Sequence, residues 1–149
     1  MAHTVSGLRF TELVLQLLRI HGELVGAANE LVSDLGLTAA RWQVLSLVQD
    51  RPSTVARMAR RLGLSRQTVQ RSADRLAQDG FLTRESNPDH RASPLCRITD
   101  RGRAALAEAR GRQERWADDL ARGLDAAELA AACKVLGEMS GLVNDDHRP

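Results

Sequence analysis

The sequence predicts a mainly α-helical chain with one small β-hairpin, and three observations carry that prediction. Apolar residues recur at helical spacing over long stretches at both ends. A Gly63-Leu64-Ser65 triplet joins two short helical patterns in the middle. Directly after the second pattern, the period changes from helical to two short extended runs. At 149 residues, 43% of them hydrophobic, the chain is long enough to bury one core.

The first helix is expected from about Gly7 to Leu35. Leu13, Leu17, Ile20, Leu24, Leu31 and Leu35 form one apolar stripe, and Val14, Leu18, Val25 and Val32 a second beside it. Two adjacent stripes are wider than one partner usually covers. One is therefore expected to meet the protein's own core and the other a second subunit, which predicts a homodimer. Gly36 stops this helix, and Thr38 caps a second one that carries Trp42, Leu45 and Val48 on one face. Asp50-Arg51-Pro52-Ser53 reads as a turn.

Thr54 caps a short helix with Val55, Met58, Ala59 and Leu62 on one face. In the triplet that follows, Gly63 supplies a left-handed turn residue, Leu64 is expected to plug the core, and Ser65 caps the next helix. This is a helix-turn-helix, whose second helix can lie in a DNA major groove. On that helix Val69, Ala73, Leu76 and Ala77 face inward. Gln67, Thr68, Arg71, Asp74, Arg75 and Gln78 face outward, with Arg66 and Gln70 at the edge. Arginine and glutamine can pair with guanine and adenine edges. Arg66, Gln67, Gln70 and Arg71 are accordingly read as base or phosphate contacts, while Asp74 and Arg75 read equally well as members of structural ion pairs.

After Asp79-Gly80, the runs Phe81–Glu85 and Leu95–Ile98 are expected as strands, joined by the turn-rich loop Ser86–Pro94. A hairpin behind a recognition helix is a wing. Arg91 within it, with Arg84 or Arg97, can reach phosphates or the minor groove; for Arg97 a structural role fits better. The next helix is expected from near Thr99 to about Arg122, with Leu106, Ala109, Trp116 and Leu120 on one side. After Gly123, Asp125–Glu128 is a capping box, and Leu129, Ala132, Leu136, Met139 and Val143 form the stripe of the last helix.

Charge supports this division. From Arg51 to Arg103 there are twelve arginines against five acids (Asp74, Asp79, Glu85, Asp89, Asp100), a net of +7. The remaining residues hold nine basic and fourteen acidic side chains, a net of −5. This segregation suggests a basic face for a polyanion, set on a scaffold that need not bind it, although charge alone fits a solvated helix surface as well. Other classes find no support. The carboxylates sit in caps and surface patterns, and neither a nucleophile–base pair nor a phosphate-binding glycine loop is present, so no enzyme is expected. Cys96 and Cys133 are widely spaced and read as buried small hydrophobes. His3, His21, His90 and His147 make no i, i+4 pair; neither a metal nor a cofactor is expected. The apolar stretch Leu13–Leu18 is broken by Gln16 and ends at Arg19, far short of the roughly 20 residues of a membrane span. With no secretory-signal pattern at the start, a soluble, cytoplasmic protein is expected.

Several segments resemble, in order and spacing, the multiple-antibiotic-resistance regulators, the MarR/SlyA family of winged helix-turn-helix proteins. They are Leu37–Leu45, Met58–Val69, Asp74–Leu76, Asp79–Leu82, Asn87–Arg91 and Ile98–Gly102. The resemblance runs over nearly the whole chain. It implies an obligate homodimer built from the first and last helices that binds pseudo-palindromic operators in double-stranded DNA. It further implies repression relieved by small aromatic or phenolic ligands, by oxidation, or in some members by neither. The organisation expected is an N-terminal dimerisation helix (1–36), a winged helix-turn-helix module (37–102) and C-terminal dimerisation helices (103–149), intertwined as one domain. The expected DNA-contacting set is Ser65, Arg66, Gln67, Thr68, Gln70, Arg71, Arg75 and Arg91. One departure touches the wing: Asp89-x-Arg91 sits one residue further from Ile98-Thr99 than the family pattern places it, leaving Ala92 at the arginine's position. Either the loop holds one extra residue and Arg91 works as usual, or Arg91 approaches DNA differently. A ligand pocket is expected where the first two helices meet the winged module. Trp42 would supply an aromatic wall, and His21 or Arg41 would orient a small acid or phenol; alternatively Trp42 belongs to the core and His21 faces solvent. The competing functional readings are a winged-helix protein used for protein–protein contact and an oxidant-sensing regulator of the same family.

Overall fold

The computed structural model describes residues 4–146; His3 and His147 lie outside them. Thr4 starts the first helix by accepting a hydrogen bond from Gly7 N at 3.1 Å, and α1 (Val5–Val32) leads into one 3-10 turn, Ser33–Leu35, closed by Gly36. The first N–H groups of α2 (Ala39–Leu47) find two acceptors, as a helix start requires. Thr38 Oγ1 takes Arg41 N at 3.3 Å, and Asn29 Oδ1, from α1, takes Ala39 N at 2.8 Å. The second of these ties the end of α1 to the beginning of α2.

The expected turn gives way at Ser53 to a two-residue strand, β1 (Ser53–Thr54), which the sequence pattern does not predict. Two residues carry no periodicity; what makes them a strand is the antiparallel pairing of Ser53 with Cys96 and Thr54 with Leu95. Thr54 caps α3 (Val55–Leu62) through Arg57 N, and Ser65 caps α4 (Arg66–Gln78) through Thr68 N. Between them Gly63 has φ 64°, a left-handed conformation that costs glycine nothing and other residues more. Leu64 does not plug the core: its side chain is 41% exposed, and its backbone N closes the turn on Ala59 O at 3.1 Å. Leu62, just before the glycine, packs against the core, as its place on the inward face of α3 predicts.

The wing strands β2 (Leu82–Glu85) and β3 (Leu95–Ile98) complete a three-stranded antiparallel sheet of order β1–β3–β2. Leu82, Cys96 and Ile98 point inward while Thr83 and Arg97 are exposed on the other face, the alternation of a half-buried sheet; Arg84, paired with Cys96, lies on the inner face at its rim. Thr99 then joins the sheet to α5 (Asp100–Ala121). Its N–H donates to Phe81 O at 3.1 Å, its hydroxyl donates to Gly80 O at 2.7 Å, and its Oγ1 accepts from Gly102 N at 3.0 Å. Gly102 is buried against this junction; a Cβ there would lie 2.3 Å from Phe81 O. The core brings together Val32, Leu37, Leu45, Met58, Val69, Leu76, Phe81, Cys96, Ile98 and Leu106. The result is a mainly helical protein with a small sheet, as the sequence predicted.

Packing divides the chain into residues 1–113 and 114–149. In the first unit, α1 gives its own core only its last turns, Leu31 and Val32, with Leu35 beyond them. Neither expected stripe is buried along the rest of its length; Leu18 is 70% and Leu24 46% exposed. In the second, Asp125 Oδ1 accepts from Ala127 N and Glu128 N at the start of α6 (Ala126–Asp146). Leu129, Leu136 and Val143 are exposed and Met139 is buried. Cys133, expected inside, is exposed, whereas Cys96 is buried as expected. Among the described residues no helix is long and apolar enough to cross a membrane, and no group of side chains could hold a metal ion.

Candidate nucleic-acid interface

The backbone of α4 fixes which side chains are free to act. Val69, Ala73 and Leu76 anchor it, and the periodicity then turns Arg66, Gln67, Thr68, Arg71 and Arg75 outward, with Gln70 half-buried beside them. Ser65 and Thr68 form the helix start: their hydroxyls lie 2.8 Å apart, and Ser65 Oγ accepts from Thr68 N at 3.1 Å. Both are exposed at the end that a recognition helix presents to the groove.

Ion pairing sorts the arginines of the basic segment. Arg75, Arg84, Arg97 and Arg103 are paired, with Asp79, Asp74, Glu85 and Asp100 respectively. Arg101 lies over the Phe81 ring, 4.8 Å from its centroid. The other seven (Arg51, Arg57, Arg60, Arg61, Arg66, Arg71 and Arg91) form no ion pair among the described residues. Three of these, Arg66, Arg71 and Arg91, are the arginines on the recognition helix and at the wing loop that the sequence singled out. Arg75 is different. Its Nε donates to Asp79 Oδ2 at 3.0 Å, and Arg41 Nη1 reaches the same oxygen at 3.2 Å. Asp79 thus fastens the end of α4 to α2. The Arg97–Glu85 bridge spans two neighbouring strands, the structural role expected for Arg97, and it holds the guanidinium's pKa above its ordinary value.

The wing loop is built on Asn87, which sequence reasoning passed over. Its side chain is buried: Nδ2 donates to Ser93 O at 2.9 Å and Oδ1 accepts from Asp89 N at 3.1 Å. His90 N to Asn87 O and Ser93 N to His90 O complete two linked turns. Asparagine commonly organises such turns, and Asn87-Pro88-Asp89 was the available signal. Arg91 stands exposed on this loop, within the second turn.

The three expected ligand residues are not brought together. Trp42 lines a cavity of about 470 Å³ with Gln43, Leu47, Leu106, Arg110 and Gln113. Arg41 borders a polar cleft with Arg75, Asp79 and Arg101, where it is held by Asp79, Thr38 Oγ1 and Gly36 O. His21 lies in an apolar groove of α1 with Val14, Leu17 and Leu24. Trp42 is partly buried and also packs on the core.

Comparison with known proteins points one way. The family model described as MarR family matches residues 35–93. The Mycobacterium tuberculosis protein Rv2011c is 44% identical over 123 residues, covering 83% of this chain and 82% of its own length. Among solved structures, a mutant MarR from E. coli complexed with operator DNA superposes with a TM-score of 0.79 at 22% identity, over 88% of this chain and 95% of the other. CouR from Rhodococcus jostii RHA1, bound to p-coumaroyl-CoA, gives 0.76 at 22% identity, over 85% and 90%.

Proposed function

The chain belongs to the MarR family of DNA-binding transcription regulators, and from that premise we propose that it is a homodimeric repressor that grips a pseudo-palindromic operator through α4 and the wing of each protomer. The observation that carries the proposal is the set of exposed arginines that form no ion pair among the described residues: Arg66 and Arg71 on the outer face of α4, Arg91 on the wing. Guanidiniums without internal partners keep their hydrogen-bonding capacity for phosphates and guanine edges. Gln67, Gln70, Thr68 and Ser65 complete the reading face, while Arg75 acts chiefly through Asp79. Regulation is the role of the family; its members are transcription regulators, not enzymes.

Dimerisation is proposed from the apolar side chains that one chain leaves in water. Leu15, Leu18, Ile20 and Leu24 on α1 and Val135, Leu136 and Leu142 on α6 are exposed, and such patches mark interaction sites. In this reading residues 1–36 and 103–149 pair the two copies, and residues 37–102 bind DNA. For release, the cavity at Trp42 is within the size range of small-molecule sites. Its apolar wall beside Arg110 and Gln113 suits an aromatic acid or phenol. Such a ligand releases DNA only if it binds the DNA-bound dimer more weakly than the free one.

The test is a salt titration by fluorescence anisotropy on duplexes selected by the full-length protein. Arg71→Ala should cost about 1–3 kcal/mol on the selected site and blur one base pair of each half-site. Arg91→Ala should weaken all sequences more evenly and reduce the salt slope by about one unit for each phosphate that is no longer neutralised. Wild-type binding by both variants at every salt concentration would refute the placement of the DNA face.

A further inference from the structure

Asp74 lies on the DNA side of α4, where a bare carboxylate would repel phosphates, yet it is not bare. Its Oδ1 accepts from Gln70 Nε2, one turn earlier on the same helix, at 2.9 Å, and the same oxygen accepts from Arg84 Nη2 on β2. An ionised carboxylate only accepts hydrogen bonds. It therefore dictates which way the Gln70 amide is turned: the NH₂ toward Asp74, the carbonyl Oε1 away from it. Without that neighbour the two ends of a glutamine amide are nearly equivalent in shape and interchange by rotation about the last side-chain bond.

We propose that Asp74 is a specificity-determining positioning residue, which fixes the Gln70 amide with its carbonyl toward the DNA so that this position reads an amino base and rejects a keto base. The inference rests on the DNA-binding reading above and deepens it. A presented carbonyl accepts from the exocyclic amine of adenine or cytosine and meets only an oxygen at the same place on thymine or guanine. One Gln70 N–H remains after the bond to Asp74. Adenine, which offers its N7 acceptor beside its amine, can use both groups and is the base selected. Arg84 neutralises the carboxylate from the wing strand, so the amide is held without adding a net negative charge opposite the phosphates. The bond also restrains the side-chain freedom of Gln70 before DNA arrives, which lowers the ordering cost of the contact.

The experiment uses the full-length protein and a randomised duplex library spanning about two helical turns, roughly 21 bp, followed by single-base-pair variants of the selected site. Wild type should prefer adenine on one strand at one position of each half-site, by on the order of tenfold over guanine or thymine. Gln70→Ala identifies that position by losing the preference there. Asp74→Asn is close to isosteric but both donates and accepts, so it no longer dictates the amide's direction. It should lose most of the amino-over-keto preference at the Gln70 position and nowhere else, while the salt slope steepens by at most about one unit as Arg84 is released. The double variant should lose no more there than Gln70→Ala does. Arg84→Met, which leaves the Asp74–Gln70 bond in place, should keep the preference while weakening overall affinity. Full discrimination by Asp74→Asn, or an even loss at every position, would overturn the proposal. If the wild type selects no sequence at all, the DNA-binding reading itself fails and the inference with it. If it selects sites in which Gln70→Ala changes no base preference, only the inference fails.

Discussion

Gly102→Ala opposes two forces of known sign at one position. Gly102 lies in the first turn of α5, where an alanine would be favoured over glycine by about 1 kcal/mol on helix propensity alone. The added Cβ, however, would lie 2.3 Å from Phe81 O, 2.8 Å from Ile98 Cγ1 and 3.2 Å from Phe81 C. Two of these three atoms are backbone and cannot swing aside. Phe81 O is moreover the acceptor for Thr99 N, so retreat of the carbonyl would pull on the junction that seats α5 against the sheet. Overpacking of this kind costs about 1–3 kcal/mol and sometimes more. With rigid backbone on one side the upper part of that range applies, and the net expectation is a loss of about 2 kcal/mol after the propensity gain. For a chain of this length that is a fall in Tm of roughly 4–8 °C. Thermal unfolding followed by circular dichroism measures it, at equal protein concentration, since association of subunits makes Tm depend on concentration. An unchanged or raised Tm would refute the claim that close approach, rather than helix formation, sets the residue at 102.

Four further outcomes are expected. Leu24→Glu places a charge on the exposed apolar face of α1 and should shift sedimentation from dimer to monomer at micromolar concentration; wild type sedimenting as a stable 16.3 kDa monomer would remove the dimer. Asn87→Ala should cost about 1–3 kcal/mol by leaving the Ser93 carbonyl and Asp89 N–H without their partner. It should weaken DNA binding about as much as Arg91→Ala if Asn87 is what places Arg91. Burial raises the Cys96 thiol above its ordinary 9.0. The folded chain therefore holds this proton where the unfolded chain has lost it, and its contribution to stability is complete below about pH 9 and declines as pH rises further; urea midpoints should fall as pH rises above about 9 in wild type and less in Cys96→Ala. Asp34 is held below its ordinary 3.8, first by its hydrogen bond to Arg112. That contribution is present above about pH 4 and is lost on further acidification, so Arg112→Leu should show a shallower acid limb in the same assay.

The fold was legible wherever local chemistry decides it. Thr38, Thr54 and Ser65 cap the helices that the sequence assigns to them, because an N-cap is chosen by residues three or fewer apart. The hairpin followed equally from a change of period. What could not be read depends on partners distant in sequence. β1 is a strand only because Cys96 and Leu95 lie beside it. Leu64 looked like a core residue from its place between two helices, yet the glycine turn leaves its side chain in solvent. The assignment of one stripe of α1 to the protein's own core failed, since that core takes only the last turns.

The site was legible in composition and illegible in its wiring. Twelve arginines in one segment point to a polyanion partner, yet the sequence leaves Arg75 open between a DNA contact and an ion pair, and only the structure separates Arg71, which has no ion pair among the described residues, from Arg75, which is bound to Asp79 four residues away. The separation comes from geometry. Arg75 lies on the side of α4 where Arg41 of α2 also reaches Asp79, whereas Arg71 lies one turn nearer the helix start, and Asp74, a possible partner three residues on, is already engaged by Arg84 and Gln70. Asp74 and Asp79 thereby set the character of the whole face. Each takes up cations or amide donors at the margins of the helix and leaves its outward centre unpaired. The more exposed pairs, Arg75–Asp79 and Arg84–Asp74, contribute little stability, on the order of 0–1 kcal/mol each, so their effect lies in where they leave charge available; the part-buried Arg41–Asp79 pair is the one that ties α2 to α4. If that is the division of roles, Asp79→Asn should lower stability by loosening that tie. It should also free Arg75 and Arg41 for phosphate and raise non-specific DNA affinity, with a steeper salt dependence, by up to about one unit for each arginine released. An unchanged salt slope in Asp79→Asn would mean that these arginines cannot reach the backbone, and that Asp79 serves only to fasten α4 to α2.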